Sequence, residues 1–449
     1  MPLGRLGGIR IGHPSRAVTI LFLVAITVGT CLLMLPVATA GPGGAPFLTA
    51  VFTSTSAICV TGLAVVDTPV YWTPFGQAMI LVLIQLGGLG VMTLASMLTI
   101  FISHNLGLRQ RLIALTETGT VELGDLRSIL AGVIRITIAA ELLFTIILTA
   151  RFALGHGQPF GRALWLGTFH AISAWNNAGF ALYSRSLANF ESDPFILLPV
   201  AVAVIVGGIG FPVMFDLWTR RRRIGLWTLH TKLTLVGTAI LLVGGWIVLG
   251  VFEWSNPATL GPMDVPGKLL NSFFSSTMTR TAGFNSIEIG SMTDPSILFQ
   301  TLLMFIGGGS ASTAGGIKVT TFAVLVLIVW AEARGDQDTI AFGRRISGSA
   351  QRQAVSITIV AMVAVFVATL VLLAVSPRPL KEDLFEAFSG FGTVGLSTGI
   401  TPSLPALGQV LLMFLMFAGR LGPLTISAAL VAQEHERLYR YPQERPLIG

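Results

Sequence analysis

The chain has 449 residues, of which 53% are hydrophobic and only 11% charged, with a mean hydropathy of +0.79. A soluble domain carries about 25% charged residues, so the composition excludes a soluble globular protein and points to an integral membrane protein. The formal net charge of +7 is no argument for nucleic acid, because membrane topology accounts for where the cations fall.

Three arginines, Arg5, Arg10 and Arg16, precede an apolar run at 17–38. Ala38-Thr39-Ala40-Gly41 would suit signal-peptide cleavage, but about 20 apolar residues make a membrane span rather than the shorter signal core. A short segment at 47–58 follows, then the turn 59–63, then a second apolar run at 77–102. The same order recurs three times. Runs near 129–151 and 195–217 flank 162–174, runs near 232–251 and 296–331 flank 267–278, and runs near 353–375 and 405–431 flank 381–391. Fixed offsets tie the copies together: Phe52, Ser56, Gly62; Phe169, Ser173, Gly179; Phe273, Thr277, Gly283; Phe385, Ser389, Gly395. An apolar residue, Leu63, Phe180, Phe284 or Leu396, follows each glycine. Cys31 and Cys59 fall in the apolar segments and the six histidines are scattered, so no disulfide framework, metal-ligand spacing or catalytic constellation is visible.

Each short segment is too brief to cross a hydrocarbon core about 30 Å thick, and is expected to enter and return. Non-helical backbone at that depth is tolerated where it is buried in protein or lines a wet cavity. The expected fold is therefore an all-α polytopic membrane protein of four tandem helix–pore-loop–helix units, with eight spans and four re-entrant pore helices around one pore. The units cover 17–102, 129–217, 228–331 and 353–431, between termini at 1–16 and 432–449. Of the 28 Lys and Arg, 18 lie in 1–16, 103–128, 218–232, 332–352 and 432–449. Arg151, Arg162, Arg185, Lys268, Arg280, Arg378 and Lys381 fall on the opposite side. The positive-inside rule then puts both termini in the cytoplasm and opens the turns outward. Arg135, Lys318 and Arg420 remain at membrane depth. Arg135 is expected to snorkel to the cytoplasmic interface, with Glu141 as a partner deeper in.

A second feature recurs 24 to 28 residues after each turn glycine: Gly87-Gly88, Gly207-Gly208, Gly307-Gly308 and Gly419-Arg420. Close packing of helices accounts for the first two. The third opens Gly307-Gly308-Gly309-Ser310-Ala311-Ser312-Thr313-Ala314-Gly315-Gly316-Ile317-Lys318, five glycines in twelve residues. One helix over 296–331 would be about 54 Å long, far more than a bilayer needs. An intramembrane loop at 307–316 is expected, with Lys318 and Arg420 beside it. The partners expected for Arg420 are carbonyls and hydroxyls of that loop, notably at Ser310, Ser312 and Thr313.

The turns offer no nucleophile or general acid. They offer carbonyl oxygens, at the partly negative C-terminal ends of short helices. Rings of backbone carbonyls can replace the hydration shell of a cation, and Thr393-Val394-Gly395 matches the first three residues of the potassium-channel filter. Val60-Thr61-Gly62, Asn177-Ala178-Gly179 and Thr281-Ala282-Gly283 are looser versions.

With these motifs the whole chain resembles the Trk/Ktr/HKT superfamily of potassium transporters. Thr279-Arg280-Thr281-Ala282-Gly283-Phe284-Asn285 and Ser312-Thr313-Ala314-Gly315-Gly316-Ile317-Lys318 are similar to its third-filter and intramembrane-loop motifs. The resemblance implies four filter glycines, Gly62, Gly179, Gly283 and Gly395, and a gate in which Arg420 lies below the filter beside the loop. Gly62, where sodium-conducting relatives often have Ser, implies potassium. The chain is most similar to the Ktr membrane subunit, which implies a homodimer with one pore per protomer on a separate cytosolic nucleotide-binding ring of the RCK type. The expected function is thus potassium uptake across the cell membrane, passive or sodium-stimulated, gated by the loop and regulated by the cytosolic subunit, with no organic cofactor and no enzymatic step. Two alternatives stand beside it: a sodium-conducting or sodium–potassium symporting protein of the same fold, and a secondary transporter of an anionic solute. The latter would aim helix N-termini at mid-membrane, whereas these short helices present the other end.

Overall fold

The computed structural model describes residues 14–105, 126–221 and 223–432. The N-terminal stretch with Arg5 and Arg10, the loop 106–125, Arg222 and the tail 433–449, all of which weigh in the expected orientation, lie outside the described residues. Four times a leading helix is followed by a short helix, a glycine turn and a trailing helix. In unit one these helices are Pro14–Leu33, Phe47–Ile58 and Pro74–Asn105; in unit two, Leu126–His156, Phe160–Trp175 and the pair Pro194–Ile209 and Phe211–Arg220. Unit three has Leu229–Glu253, Val265–Met278 and a trailing helix in two pieces, Asp294–Phe305 and Val319–Arg334. A small hairpin, Ile340–Ala341 with Arg344–Arg345, precedes unit four, which has Gly348–Val375, Leu380–Gly392 and Ala406–Ala432.

Local chemistry sets many of these boundaries. Side chains of Asp193, Thr228, Asp264 and Ser347 accept from free N–H groups at the starts of their helices, and Gly335, in the left-handed region, ends Val319–Arg334. Asp193 also accepts from Arg151 Nε at 2.8 Å and bonds His156 Nε2 at 2.7 Å, tying the C-terminal end of Leu126–His156 to the start of Pro194–Ile209. Burial works against its carboxylate, but these bonds outweigh it and hold the pKa below the ordinary value.

The distribution of polarity is that of a protein in lipid. Ile20, Val24, Ile138, Ile146, Ile240 and Phe366 on the leading helices are exposed. The short helices are buried although they carry Thr53, Ser54, Thr55 and Ser56, or Ser275, Ser276 and Thr277. Leu130–His156, Leu229–Glu253 and Gly348–Val375 are each long and apolar enough to cross a membrane, and the bent pair in unit two passes the same test. Around an apolar core that includes Phe22, Phe52, Phe169 and Leu412, the leading helices thus turn further apolar side chains outward while polar groups of the short helices are enclosed, an arrangement that suits lipid surroundings.

Candidate functional site

Each short helix ends buried and feeds its turn by a similar device, closing over five residues in units one, two and four and over four in unit three. Backbone N–H groups of Thr61, Ala178, Ala282 and Val394 donate to carbonyls of the last helical turn, Ser56, Ser173, Met278 and Ser389, at 2.8, 2.7, 3.2 and 2.9 Å. The Ser of the repeated offset then reaches over the turn. Ser56 Oγ accepts from the Gly62 N–H and Ser389 Oγ from the Gly395 N–H, both at 3.1 Å, while Ser173 Oγ donates to the Phe180 carbonyl at 2.8 Å. Thr277 bonds back into its own helix instead, to the Phe273 carbonyl.

Backbone conformation repeats with the sequence. Val60, Asn177, Thr281 and Thr393 have φ of 56°, 58°, 66° and 49°, and the glycines two residues on have 92°, 71°, 72° and 90°. Positive φ costs a β-branched residue more than most, so Val60, Thr281 and Thr393 hold strain that the surrounding hydrogen bonds maintain. The middle residues, Thr61, Ala178, Ala282 and Val394, are not among the positive-φ residues. Alternation of this kind turns successive peptide planes alike, so that consecutive carbonyls leave the same side of the strand.

The four turns close a ring. A methyl carbon built on Gly62 would overlap the Ala178 carbonyl oxygen, one on Gly179 would lie 2.8 Å from that of Ala282, and one on Gly283 2.5 Å from that of Val394. One on Gly395 would overlap the carbonyl of Thr61, back in unit one. All twelve residues of the four triplets are therefore brought together, and units two and four face each other across the axis. Among the described residues no group of three or more His, Cys, Asp or Glu could hold a metal ion. The oxygens at the contacts of this ring are main-chain carbonyls, those of Thr61, Ala178, Ala282 and Val394.

The trailing helices pass directly beneath the ring. Side chains at Gly87, Gly207 and Gly419 would overlap the carbonyls of Ile58, Trp175 and Phe391, at the ends of their own short helices. In unit three the backbone leaves the helix at 306 and resumes it at Val319. The segment between is stitched to unit two: the Gly309 N–H donates to the Gly208 carbonyl at 2.8 Å and the Phe211 N–H to the Ala311 carbonyl at 3.2 Å. Thr313 Oγ1 donates to Asn177 Oδ1 at 3.0 Å, and a side chain on Gly315 would overlap Thr393 Oγ1. The segment thus reaches from the turn of unit two to that of unit four, across the helix side of the ring. Its two ends are held together by the Gly307 N–H on the Ile317 carbonyl, 2.7 Å, and the Val319 N–H on the Gly308 carbonyl, 2.9 Å.

Three cations grip this segment. Arg420, 2% exposed, donates to the Thr313 carbonyl and, at 3.2 Å, to the Gly87 carbonyl of unit one. Lys318 Nζ donates to the Ala314 carbonyl at 2.6 Å. The third, Arg280, was assigned above to the outer loops, but it is buried, on Thr238 and the Gly307 carbonyl at 3.3 to 3.4 Å. Of the hydroxyls expected to meet Arg420, Ser310 pairs with Thr320 and Ser312 donates to the Gly309 carbonyl. Arg135 is exposed, and Glu141 is engaged by Gln85 and Asn176 instead, at 3.2 and 3.1 Å.

The apolar run 195–217 of unit two, expected from the sequence as one span, is two helices in the structure. Its helices meet at 91° about Gly210, whose φ is 99°. A side chain there would stand 2.5 Å from the Ser310 carbonyl, so the bend is where the segment from unit three seats. Gly210 followed by Pro212 was the available signal, since Pro suits the first turn of a new helix.

Comparison with known proteins agrees in extent with this architecture. Residues 29–440 match the model of the TrkH family, described as cation transport protein. The chain is 40% identical over 436 residues to the Ktr system potassium uptake protein B of Bacillus subtilis, covering 97% of each chain. It is 36% identical to the protein of the same name from Vibrio alginolyticus, over 100% of this chain and 98% of the other, and 33% identical to the potassium/sodium uptake protein NtpJ of Enterococcus hirae, over 97% of each. Among solved structures, the potassium transporter TrkH from Vibrio parahaemolyticus superposes with a TM-score of 0.75 at 16% identity, over 96% of this chain and 87% of the other, which speaks for the fold. The chain belongs to the TrkH family of cation transport proteins.

Proposed function

We propose that this protein takes up potassium across the cell membrane through a filter formed by the triplets ending in Gly62, Gly179, Gly283 and Gly395. The observation that carries this reading is the closed cyclic contact of the four turns, each glycine against the next unit's carbonyl. Such oxygens can stand in for the hydration shell of a monovalent cation. Eight spans and four re-entrant pore helices follow, with the trailing pieces in units two and three counted as one span each and both termini in the cytoplasm. The membrane potential favours inward movement of a monovalent cation by about 2.3 kcal/mol per 100 mV, so uptake needs no ATP chemistry in this chain.

The segment 306–318 acts as the gate, held closed by Arg280, Lys318 and Arg420. The protein works as a homodimer with one pore per protomer, under a cytosolic nucleotide-binding ring. Relatives named as one protein of a Ktr system support a partner component, and the basic loops 220–223 and 334–352 are the surfaces that would meet the ring. The name of the NtpJ relative, potassium/sodium uptake protein, favours one second reading, in which sodium is coupled or conducted.

Rubidium and sodium uptake into liposomes separates the two. Under the potassium reading rubidium enters in preference, and Gly62→Ser lowers that preference by placing a Cβ against the Ala178 carbonyl. Unchanged relative uptake in a well-expressed Gly62→Ser protein would remove Gly62 from the filter. Gly210→Ala tests the gate. A methyl 2.5 Å from the Ser310 carbonyl is expected to lift the segment from its seat and speed initial rubidium uptake several-fold at matched expression. An unaltered rate would separate the bend from gating.

A further inference from the structure

Nine residues before the turn glycines stand Thr53, His170, Phe274 and Glu386. In units two and four this side chain is a buried acceptor for the strand leaving the turn. His170 Nδ1 lies 2.8 Å from the Leu166 carbonyl, and Nε2 lies 3.3 Å from the Leu182 N–H. A carbonyl can only accept and an N–H only donate, so the imidazole is neutral, with its proton on Nδ1. Glu386 accepts from the Ser397 hydroxyl and from the Thr401 hydroxyl at 3.1 Å, which tie it to the strand leaving the turn. Leu182 is three residues past its glycine, and Ser397 and Thr401 are two and six past theirs. His170 is 1% exposed and Glu386 0%.

Different residues therefore do one job on opposite sides of the ring. Unit three has Phe274 at this position and is braced otherwise, by its neighbour. Its Asn285 N–H donates to Ser186 Oγ at 3.2 Å, and its Asn285 carbonyl accepts from the Leu187 N–H at 3.0 Å.

We propose that His170 and Glu386 are positioning residues for ion preference, holding the outer half of the filter from two opposite pore helices. The proposal rests on the filter reading above. Alternating positive and negative φ leaves the peptide planes beyond each glycine with more than one accessible orientation. Anchors just past the glycine, the Leu182 N–H in unit two and the Ser397 and Thr401 hydroxyls in unit four, restrain the planes near the glycine, and with them the spacing of the carbonyls a cation meets. Neither side chain has to touch the ion.

The test compares rubidium and sodium uptake by the full chain in liposomes at matched protein content. His170→Phe keeps aromatic volume, as unit three does at Phe274, but removes the acceptor. It is expected to lower the rubidium-to-sodium ratio about tenfold, roughly what one buried hydrogen bond is worth. His170→Gln, whose amide oxygen can accept from the Leu182 N–H, is expected to retain most of the ratio. Glu386→Leu is expected to fall like His170→Phe, and Glu386→Gln to hold, because it keeps an acceptor while losing the charge. Thr401→Val, which removes a donor from the same bond, gives a smaller loss in the same direction and covers the case in which Glu386→Leu does not fold. If Glu386→Gln falls as far as Glu386→Leu, the carboxylate acts by charge and the proposal is overturned there. If His170→Phe, Glu386→Leu and Thr401→Val all keep the wild-type ratio while Gly62→Ser lowers it, the braces are wrong and the filter stands. A ratio unmoved even by Gly62→Ser removes the filter reading itself.

Discussion

Replacing Arg420 by Ala is expected to raise initial rubidium uptake about tenfold and to weaken its dependence on a regulatory subunit. An unpaired Arg at mid-membrane costs at least about 2.5–3.5 kcal/mol, and Arg420 meets that cost by donating to the carbonyls of Thr313 and Gly87. Those bonds join the trailing helices of units four and one to the segment crossing beneath the ring. A hydrogen bond to a charged group is worth about 1.5–3 kcal/mol, and about 1.4 kcal/mol is tenfold in an equilibrium. Losing one such bond is therefore enough to shift a closed segment toward open states, and losing the charge also removes its repulsion of a cation leaving the filter. Arg420→Lys separates the two effects, since it keeps the charge but not the planar fork. Uptake near wild type in the Lys protein assigns the closure to charge; uptake near that of Arg420→Ala assigns it to the clamp. If Arg420→Ala and a deletion within 310–314 both slow uptake in well-folded protein, the segment is a structural brace and the gate lies elsewhere.

The fourfold plan was legible because its offsets each answer a local need. Ser56 and Ser389 recur six residues before a glycine because from there the hydroxyl reaches the glycine N–H. Phe52, Phe169 and Phe385 recur because that face of the short helix is fully buried. The glycines at 87, 207 and 419 do serve close packing, against the carbonyl ends of the short helices rather than another helix flank. What could not be read depended on partners far along the chain. Arg280 sits beside the third triplet and counts as an outer residue in a tally of loops, yet it turns back to Thr238 and Gly307. Glu141 meets Gln85 and Asn176, from another unit and another helix, whereas Arg135 was merely near in sequence. His170 and Glu386 escaped because four different residue types, Thr, His, Phe and Glu, occupy equivalent places, and a repeat search finds likeness of residue rather than likeness of task.

Alanine substitutions at the four turn glycines are expected to damage uptake in the order set by the room around each. At Gly395 and Gly62 a methyl would overlap the carbonyl oxygens of Thr61 and Ala178; at Gly283 and Gly179 it would stand 2.5 and 2.8 Å from those of Val394 and Ala282. The atoms in the way are backbone, fixed by the hydrogen bonds at the ends of the short helices, and cannot swing aside as a side chain would. Gly395→Ala also holds an L residue at φ 90°, a conformation costing about 1–3 kcal/mol. Strain and overlap together are expected to cut rubidium uptake by about a hundredfold, equivalent to about 2.8 kcal/mol. Gly62→Ala should follow, and Gly179→Ala should be the mildest of the four. Gly399 provides the control: its φ is 98°, but a methyl there meets nothing within 4 Å. Gly399→Ala therefore carries the backbone cost without touching the ring, and should lower thermal stability of the solubilised protein while slowing uptake far less than Gly395→Ala. Equal losses at Gly395 and Gly399 would mean that backbone strain alone does the damage. Were Gly179→Ala to prove worse than Gly395→Ala in well-folded protein, the ring contacts described here would not be those the ion passes.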